Sequence, residues 1–104
     1  MTDQQEGATL EVVDNAAELR FEARDGDRVV GFAQYQVQDQ TVVFTHTEVD
    51  DDEEGQGVGG ALVRGALDQV RDAGLTVLPV CPFVKAWIDR HEDYQPLVVE
   101  NTAL

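Results

Sequence analysis

The feature that most constrains this chain is a single change of apolar period near its middle. Up to Val49, apolar residues tend to recur at every second position, the spacing of strands with one buried face. From there they fall at Val58, Leu62, Val63, Ala66, Leu67 and Val70, the spacing of one face of a helix. Between the two patterns lie the acidic run Asp50-Asp51-Asp52-Glu53-Glu54 and the glycine-rich run Gly55-Gln56-Gly57-Val58-Gly59-Gly60. The chain therefore builds a sheet first and closes it with helices afterwards.

Smaller signals divide those blocks. Leu10 to Val13 reads as a short strand, and Leu19, Phe21 and Ala23 alternate with Arg20, Glu22 and Arg24 as a second, half-buried one. Asp25-Gly26-Asp27 is a hairpin turn. The next strand runs from Arg28 to Gln38, with Val30 and Phe32 on one face and Ala33, Tyr35 and Val37 on the other, which implies a bulge near Phe32-Ala33. After a turn at Gln38-Asp39-Gln40, the β-branched and aromatic stretch Thr41 to Val49 completes an antiparallel meander. The helix from Val58 turns Arg64, Asp68, Arg71 and Asp72 to water and stops at Gly74. Leu75 to Val80 has the length of a buried strand, and Pro79 marks interrupted pairing or a gap in the sheet. A second helix, Pro82 to Arg90, starts with proline in its first turn and Cys81 at its N-cap. A strand-helix-strand unit is parallel and right-handed, so the sheet is mixed. The expected fold is α+β: antiparallel meander, helix, parallel strand, helix, in one domain over 9–104 behind a flexible terminus over 1–8.

Composition narrows the function classes. At 104 residues the chain has room for one core. A lone cysteine excludes an internal disulfide framework and a cysteine zinc site, and no metal is expected. The N-terminus carries no apolar leader and no stretch reaches the ~20 apolar residues of a membrane span, so an unprocessed cytoplasmic protein is expected. Seven basic against 21 acidic residues leave a formal charge of −14, with Lys85 the one lysine. That balance argues against nucleic acid and against an anionic membrane surface, both of which need clustered Lys and Arg. It suits a protein solvated in a very salty cytoplasm, as in a halophile.

The glycine run sits where a strand hands over to a helix. Glycine lets backbone N–H groups approach a phosphate, and a helix N-terminus offers free donors and a favourable dipole. Anion binding and a merely flexible turn both fit. No Gly-Lys-Ser or Gly-Lys-Thr follows, so this is not a Walker loop, and its place after an antiparallel meander does not suit a dinucleotide fingerprint. The preceding acids lack the alternating ligand spacing of a calcium loop.

Three further elements accompany the glycines: Thr45-His46-Thr47-Glu48-Val49, Leu62-Val63, and Pro79-Val80-Cys81-Pro82-Phe83-Val84. Together, from about Arg20 to Val99, they resemble the YjdJ-type branch of the GNAT acetyltransferase superfamily. The resemblance implies a truncated GNAT fold that binds acetyl-CoA or coenzyme A and passes the acetyl group to an acceptor, an amine or a protein. It implies the pyrophosphate on Gly55, Gln56, Gly57, Val58, Gly59 and Gly60, and the pantetheine arm along the backbone of Val49. Arg90 is the candidate for the outer phosphates. A non-catalytic CoA-binding or acyl-CoA-sensing module is the alternative, because a fold this short lacks the helices with which larger relatives build an acceptor pocket. The chain departs from the family pattern at Glu54, where Arg or Gln is usual, and at His91-Glu92-Asp93-Tyr94, where His-Pro-Glu-Tyr is usual. Six of the seven residues from Glu48 to Glu54 are acidic, so coenzyme affinity should hold or rise as salt screens them.

Two residues carry the candidate chemistry. Cys81, at a helix N-cap, reads either as a small buried hydrophobe or as a nucleophile favoured by the helix dipole. His46 reads either as a core histidine in register with Val42 and Phe44 or as a general base. The resemblance carries both as candidate active-site groups, with strand neighbours bringing them together at the thioester.

Overall fold

A computed structural model of the protein describes residues 10–50 and 57–99. The terminus over 1–8 and, within the glycine run, Gly55 and Gln56 lie outside the described residues. Five strands form one sheet in the order β1 (Glu11–Asn15), β2 (Arg20–Asp25), β3 (Arg28–Gln38), β4 (Thr41–Val49), β5 (Thr76–Pro79). The first four pair antiparallel and β5 joins β4 in parallel, as the period change and the crossover rule require. Helix α1 (Val58–Asp72) is that crossover, and α2 (Pro82–Asp89) follows β5.

α1 buries Val58, Leu62, Val63, Ala66, Leu67 and Val70, the residues its spacing singles out. Each of the valine and leucine side chains contributes roughly 1.5–3 kcal/mol of transfer free energy. The helix stops at Gly74 (φ 76°): the Gly74 N–H donates to the Arg71 carbonyl and the Leu75 N–H to the Val70 carbonyl, a closure that needs a left-handed residue. Opposite α1, the sheet contributes Phe21, Ala23, Val30, Ala33, Tyr35, Val42 and Phe44 to the same core. The Tyr35 hydroxyl donates to Asp14 at 2.6 Å. Burial, reinforced by that carboxylate, pushes its pKa up to about 12.

Several expectations need correction. Leu19 is not on the buried face of β2. It has φ 55° in the turn after β1 and is exposed, its carbonyl accepting from the Tyr35 N–H. Val37 is exposed near the end of β3 rather than in the core. The bulge is not at Phe32-Ala33. Against β2, Val30 is the extra residue of β3, between the Ala23–Gly31 and Arg24–Val29 pairs; against β3, Thr45 is the extra residue of β4, between Gln34–His46 and Tyr35–Phe44. β5 is shorter than expected, Thr76–Pro79, and α2 ends at Asp89 with Arg90 as its cap. A six-residue 3-10 helix, Glu92–Leu97, absent from the sequence reading, follows and brings Val98 back beside Val77. It is pinned by Tyr94, which is buried, donates to Asp68 at 2.7 Å and meets the Trp87 ring edge-on. Trp87 in turn stacks on His91, centroids 3.7 Å apart and planes 9° from parallel.

Candidate functional site

The site is made by two strands that part company. β5 pairs with β4 only from Thr41–Thr76 to Phe44–Pro79, while β4 runs five residues further. Pro79 is the last residue of β5. Cys81 then donates its backbone N–H to the Phe44 carbonyl at 2.8 Å, and the chain turns into α2. A gap thus opens between the second half of β4 and the start of α2.

The Thr45 bulge decides what faces that gap. In an antiparallel pair each residue directs its N–H and C=O to one side, and neighbours alternate. The Asp50 N–H donates to the Val30 carbonyl at 2.9 Å, so Asp50, Glu48 and His46 address β3, and Thr47 and Val49 address the gap. Side chains shift in step. Val42 and Phe44 are buried before the bulge; after it Thr47 and Val49 take the core side, and His46 and Glu48 are exposed on the outer face. His46 is therefore not in register with Val42 and Phe44, because one inserted residue reverses the alternation.

The expected juxtaposition of His46 with Cys81 changes accordingly. Cys81 is buried at the N-cap of α2, with Pro82 in the first turn, and its Sγ lies 3.3 Å from Thr47 Oγ1. His46 Nε2 lies 2.8 Å from Glu48 Oε2, beside the Phe32 ring on the opposite face. The two candidates flank the gap from its two sides and do not touch. Thr47 is the residue the sequence reading passed over. Its signal was the alternation itself, which places it with Cys81 once the bulge is known.

Beyond Asp50 the described chain resumes at Gly57, the N-cap of α1, in the left-handed conformation (φ 80°, ψ 10°). Among the described residues no side chain caps the helix and its first turn holds no acid, while the Gly57 carbonyl accepts from the Ala61 N–H. The amides of Val58, Gly59 and Gly60 precede the first intrahelical donor, and amides in that position are suited to holding an anion. The glycines differ in what they do. A Cβ on Gly59 would come within 2.7 Å of Phe83 Cζ, and one on Gly60 would lie 3.5 Å from Trp87 Nε1, so both let α1 approach α2; Gly57 has open space and supplies the positive φ. The Val58 side chain is buried, so only its backbone is available at this end of the helix. Arg90 is exposed at the opposite end of α2 from Cys81, about 12 Å of helix away. No contact among the described residues brings it to the glycine run.

On the outer face a cavity of about 410 Å³ opens beside Phe32, lined by Arg20, Gly31, Glu48, Val49 and Asp50. Behind it lies the one buried charged side chain among the described residues, Glu22. Burial alone would raise its pKa. Hydrogen bonds from Arg24, Asn15 and Arg20, at 2.6 to 3.0 Å, outweigh that and lower it from 4.5 to about 2. Among the described residues no group of three or more His, Cys, Asp or Glu side chains is arranged to hold a metal ion, and no helix is long and apolar enough to cross a membrane.

Comparison with known proteins gives the same outline. A sequence model of the GCN5-related N-acetyl-transferase family matches residues 20–97. The chain is similar to the NMR solution structure of a GCN5-like candidate N-acetyltransferase from Staphylococcus aureus, at 26% identity and a TM-score of 0.66 over 90% of this chain and 94% of that one. No curated protein matches it.

Proposed function

Because the chain belongs to the GCN5-related N-acetyltransferase family, we propose that it is an acetyl-CoA-dependent N-acetyltransferase whose coenzyme lies in the gap between β4 and α2. The Thr45, His46, Thr47, Glu48, Val49 element and the Pro79 to Val84 element favour the YjdJ-type branch of that family. The observation that carries the reading is the edge of β4 beyond the bulge. Thr47 and Val49 turn backbone donors and acceptors to a gap that β5 has left, and the first amides of α1, which no described side chain caps, begin the described chain after Asp50. A pantetheine arm, with its two amides, suits the first feature, and a pyrophosphate suits the second. The phosphates fall to Gly57 through Gly60, with Gly55 and Gln56 preceding them.

Acetyl-CoA, when bound, supplies an activated acetyl thioester whose carbon–sulfur bond is exchanged for a carbon–nitrogen bond. The residues of this chain bind, orient and move the proton. Val49 orients the arm through its backbone. Donation from His46 Nε2–H to Glu48 leaves Nδ1 as the ring's proton acceptor, exposed to an amine arriving from the outer face. Cys81 closes the core side of the gap with its sulfur held by Thr47. Since a general base must lie within hydrogen-bond reach of its proton and His46 does not reach Cys81, direct transfer is favoured over a relay through acetyl-Cys81.

Titration with CoA and acetyl-CoA, followed by amide chemical shifts across rising KCl, tests this. The expected result is binding that holds or strengthens with salt and moves Thr47, Val49, Gly57 and Cys81. Failure to bind at every salt concentration rejects the proposal. Binding without turnover over a panel of amines favours the acyl-CoA-sensing module instead, a reading supported by the outer face, which neither α1 nor α2 covers. Mass spectrometry that finds acetyl on Cys81 after a rapid quench would restore the covalent route.

A further inference from the structure

The cavity on the outer face has a cationic and an anionic side with an aromatic wall between them. Arg20 reaches across the sheet so that its Cζ lies 4.7 Å from the centroid of the Phe32 ring, and its Nε donates to buried Glu22 at 2.8 Å. Among the described residues these two contacts hold the guanidinium in one pose at the cavity wall. The pose is set by a buried carboxylate already shared with Arg24 and Asn15. Two arginines on one carboxylate leave a net positive charge here, on a chain whose total is −14. On the other side of Phe32, in direct cross-strand register with it, stands Glu48, held by His46, and Asp50 follows. From β2 to β4 is two strand spacings, about 10 Å, which the Arg20 side chain shortens as it reaches over Phe32.

A simple alkylamine would leave the Arg20 fork unanswered, and a simple carboxylate would bring no cation to Glu48; Asp50 already pairs with Arg28 at 3.4 Å. Resting on the transferase reading, we infer that the acceptor is an amino acid: a short molecule carrying a carboxylate for Arg20 and a primary amine for Glu48, with its methylenes against Phe32. Guanidinium recognises carboxylate by paired N–H donors, and the ammonium is drawn to the Glu48–His46 pair that would deprotonate it. Val49 lines this cavity while its backbone addresses the gap, so the amine end of the acceptor lies next to the coenzyme edge. A cavity of about 410 Å³ holds such a molecule with room for a side chain.

The test uses the full chain, with and without CoA, in about 1 M KCl to screen the field of the acidic surface. Three probes of one carbon skeleton are titrated: γ-aminobutyrate, its amide γ-aminobutyramide, and butylamine. The amide signals of Gly31, Phe32 and Glu48 are followed. γ-Aminobutyrate should bind about tenfold more tightly than the other two and move those three signals. Arg20→Gln should level the three affinities, and Arg20→Lys, which keeps a charge for Glu22 without the fork, should remove most of the preference. Glu48→Gln, which leaves the Glu22 clamp untouched, should weaken all three about tenfold. Equal affinities, shifts confined to other surfaces, or a preference that survives both Arg20 variants overturns the inference. The cavity titration without CoA stands or falls separately from CoA binding, so loss of one reading is distinguishable from loss of the other.

Discussion

The two halves of β4 have the same kind of sequence and opposite tasks. From Thr41 to Phe44 the strand is paired on both edges and buries Val42 and Phe44 against α1. From His46 to Val49 it is paired with β3 alone, and its free edge and outer side chains line the proposed site. The boundary is one inserted residue, Thr45, together with one residue, Pro79, at which the neighbouring strand ends. A sheet thus acquires a ligand edge without a new element: pairing stops while the strand continues.

If this division is real, substitutions in the two halves should separate stability from activity. Phe44→Ala should cost the most, about 3–5 kcal/mol in urea unfolding, because the ring is 1% exposed and lies within aromatic-contact distance of Phe21 and Tyr35. Two residues on, His46→Ala should move stability by less than about 0.5 kcal/mol and slow acetyl transfer by about 10²–10⁴-fold. Comparable unfolding losses at both positions would break the comparison.

Much of this contrast was hidden in the sequence for a definite reason. The period change separated the meander from α1, since burial of a face imposes its spacing on Leu62, Leu67, Val42 and Phe44 alike; β5 was legible as an apolar run and α2 from Pro82 in its first turn. Thr45, His46 and Thr47 are all polar, so nothing in their order shows where an extra residue is absorbed, and the reversal of His46 and Thr47 could not be read. Gly59 and Gly60 looked like phosphate glycines, whereas part of their need for a missing side chain comes from Phe83 and Trp87, more than twenty residues away in the chain. Glu22 looked like a solvated strand residue: alternation puts Arg20 and Arg24 on its face, but only the fold buries it and brings Asn15 to it. The 3-10 helix was missed because acidic Glu92-Asp93 dilutes the one residue, Tyr94, that anchors it.

The Glu22 clamp sharpens the comparison from the outer face. Its carboxyl titrates near 2 when folded and near 4.5 when unfolded, so its stabilisation is complete above about pH 4.5 and is lost as pH falls from there toward 2. Stability measured over that window should fall by about 2–3 kcal/mol from this group. In Glu22→Gln that part of the slope should vanish; an unchanged slope would remove the clamp from the account. The smallest effect is expected at the hinge of the two faces. Thr47→Val should cost about 0.5–1.5 kcal/mol, and in a double-mutant cycle with Cys81→Ala the two losses should fail to add by a similar amount. Strict additivity would mean that hydroxyl and sulfur are neighbours without being partners.

Trp87 is the only tryptophan in the chain. Its indole nitrogen lies against Gly60 at the N-terminal end of α1, and its ring stacks on His91 and meets Tyr94 edge-on. The protein consequently carries a built-in optical probe at the seam where α1 meets α2. Its emission should report occupancy of the glycine loop and docking of the 3-10 helix from one unlabelled chromophore, so ligand titrations and unfolding curves can be read on the same native signal.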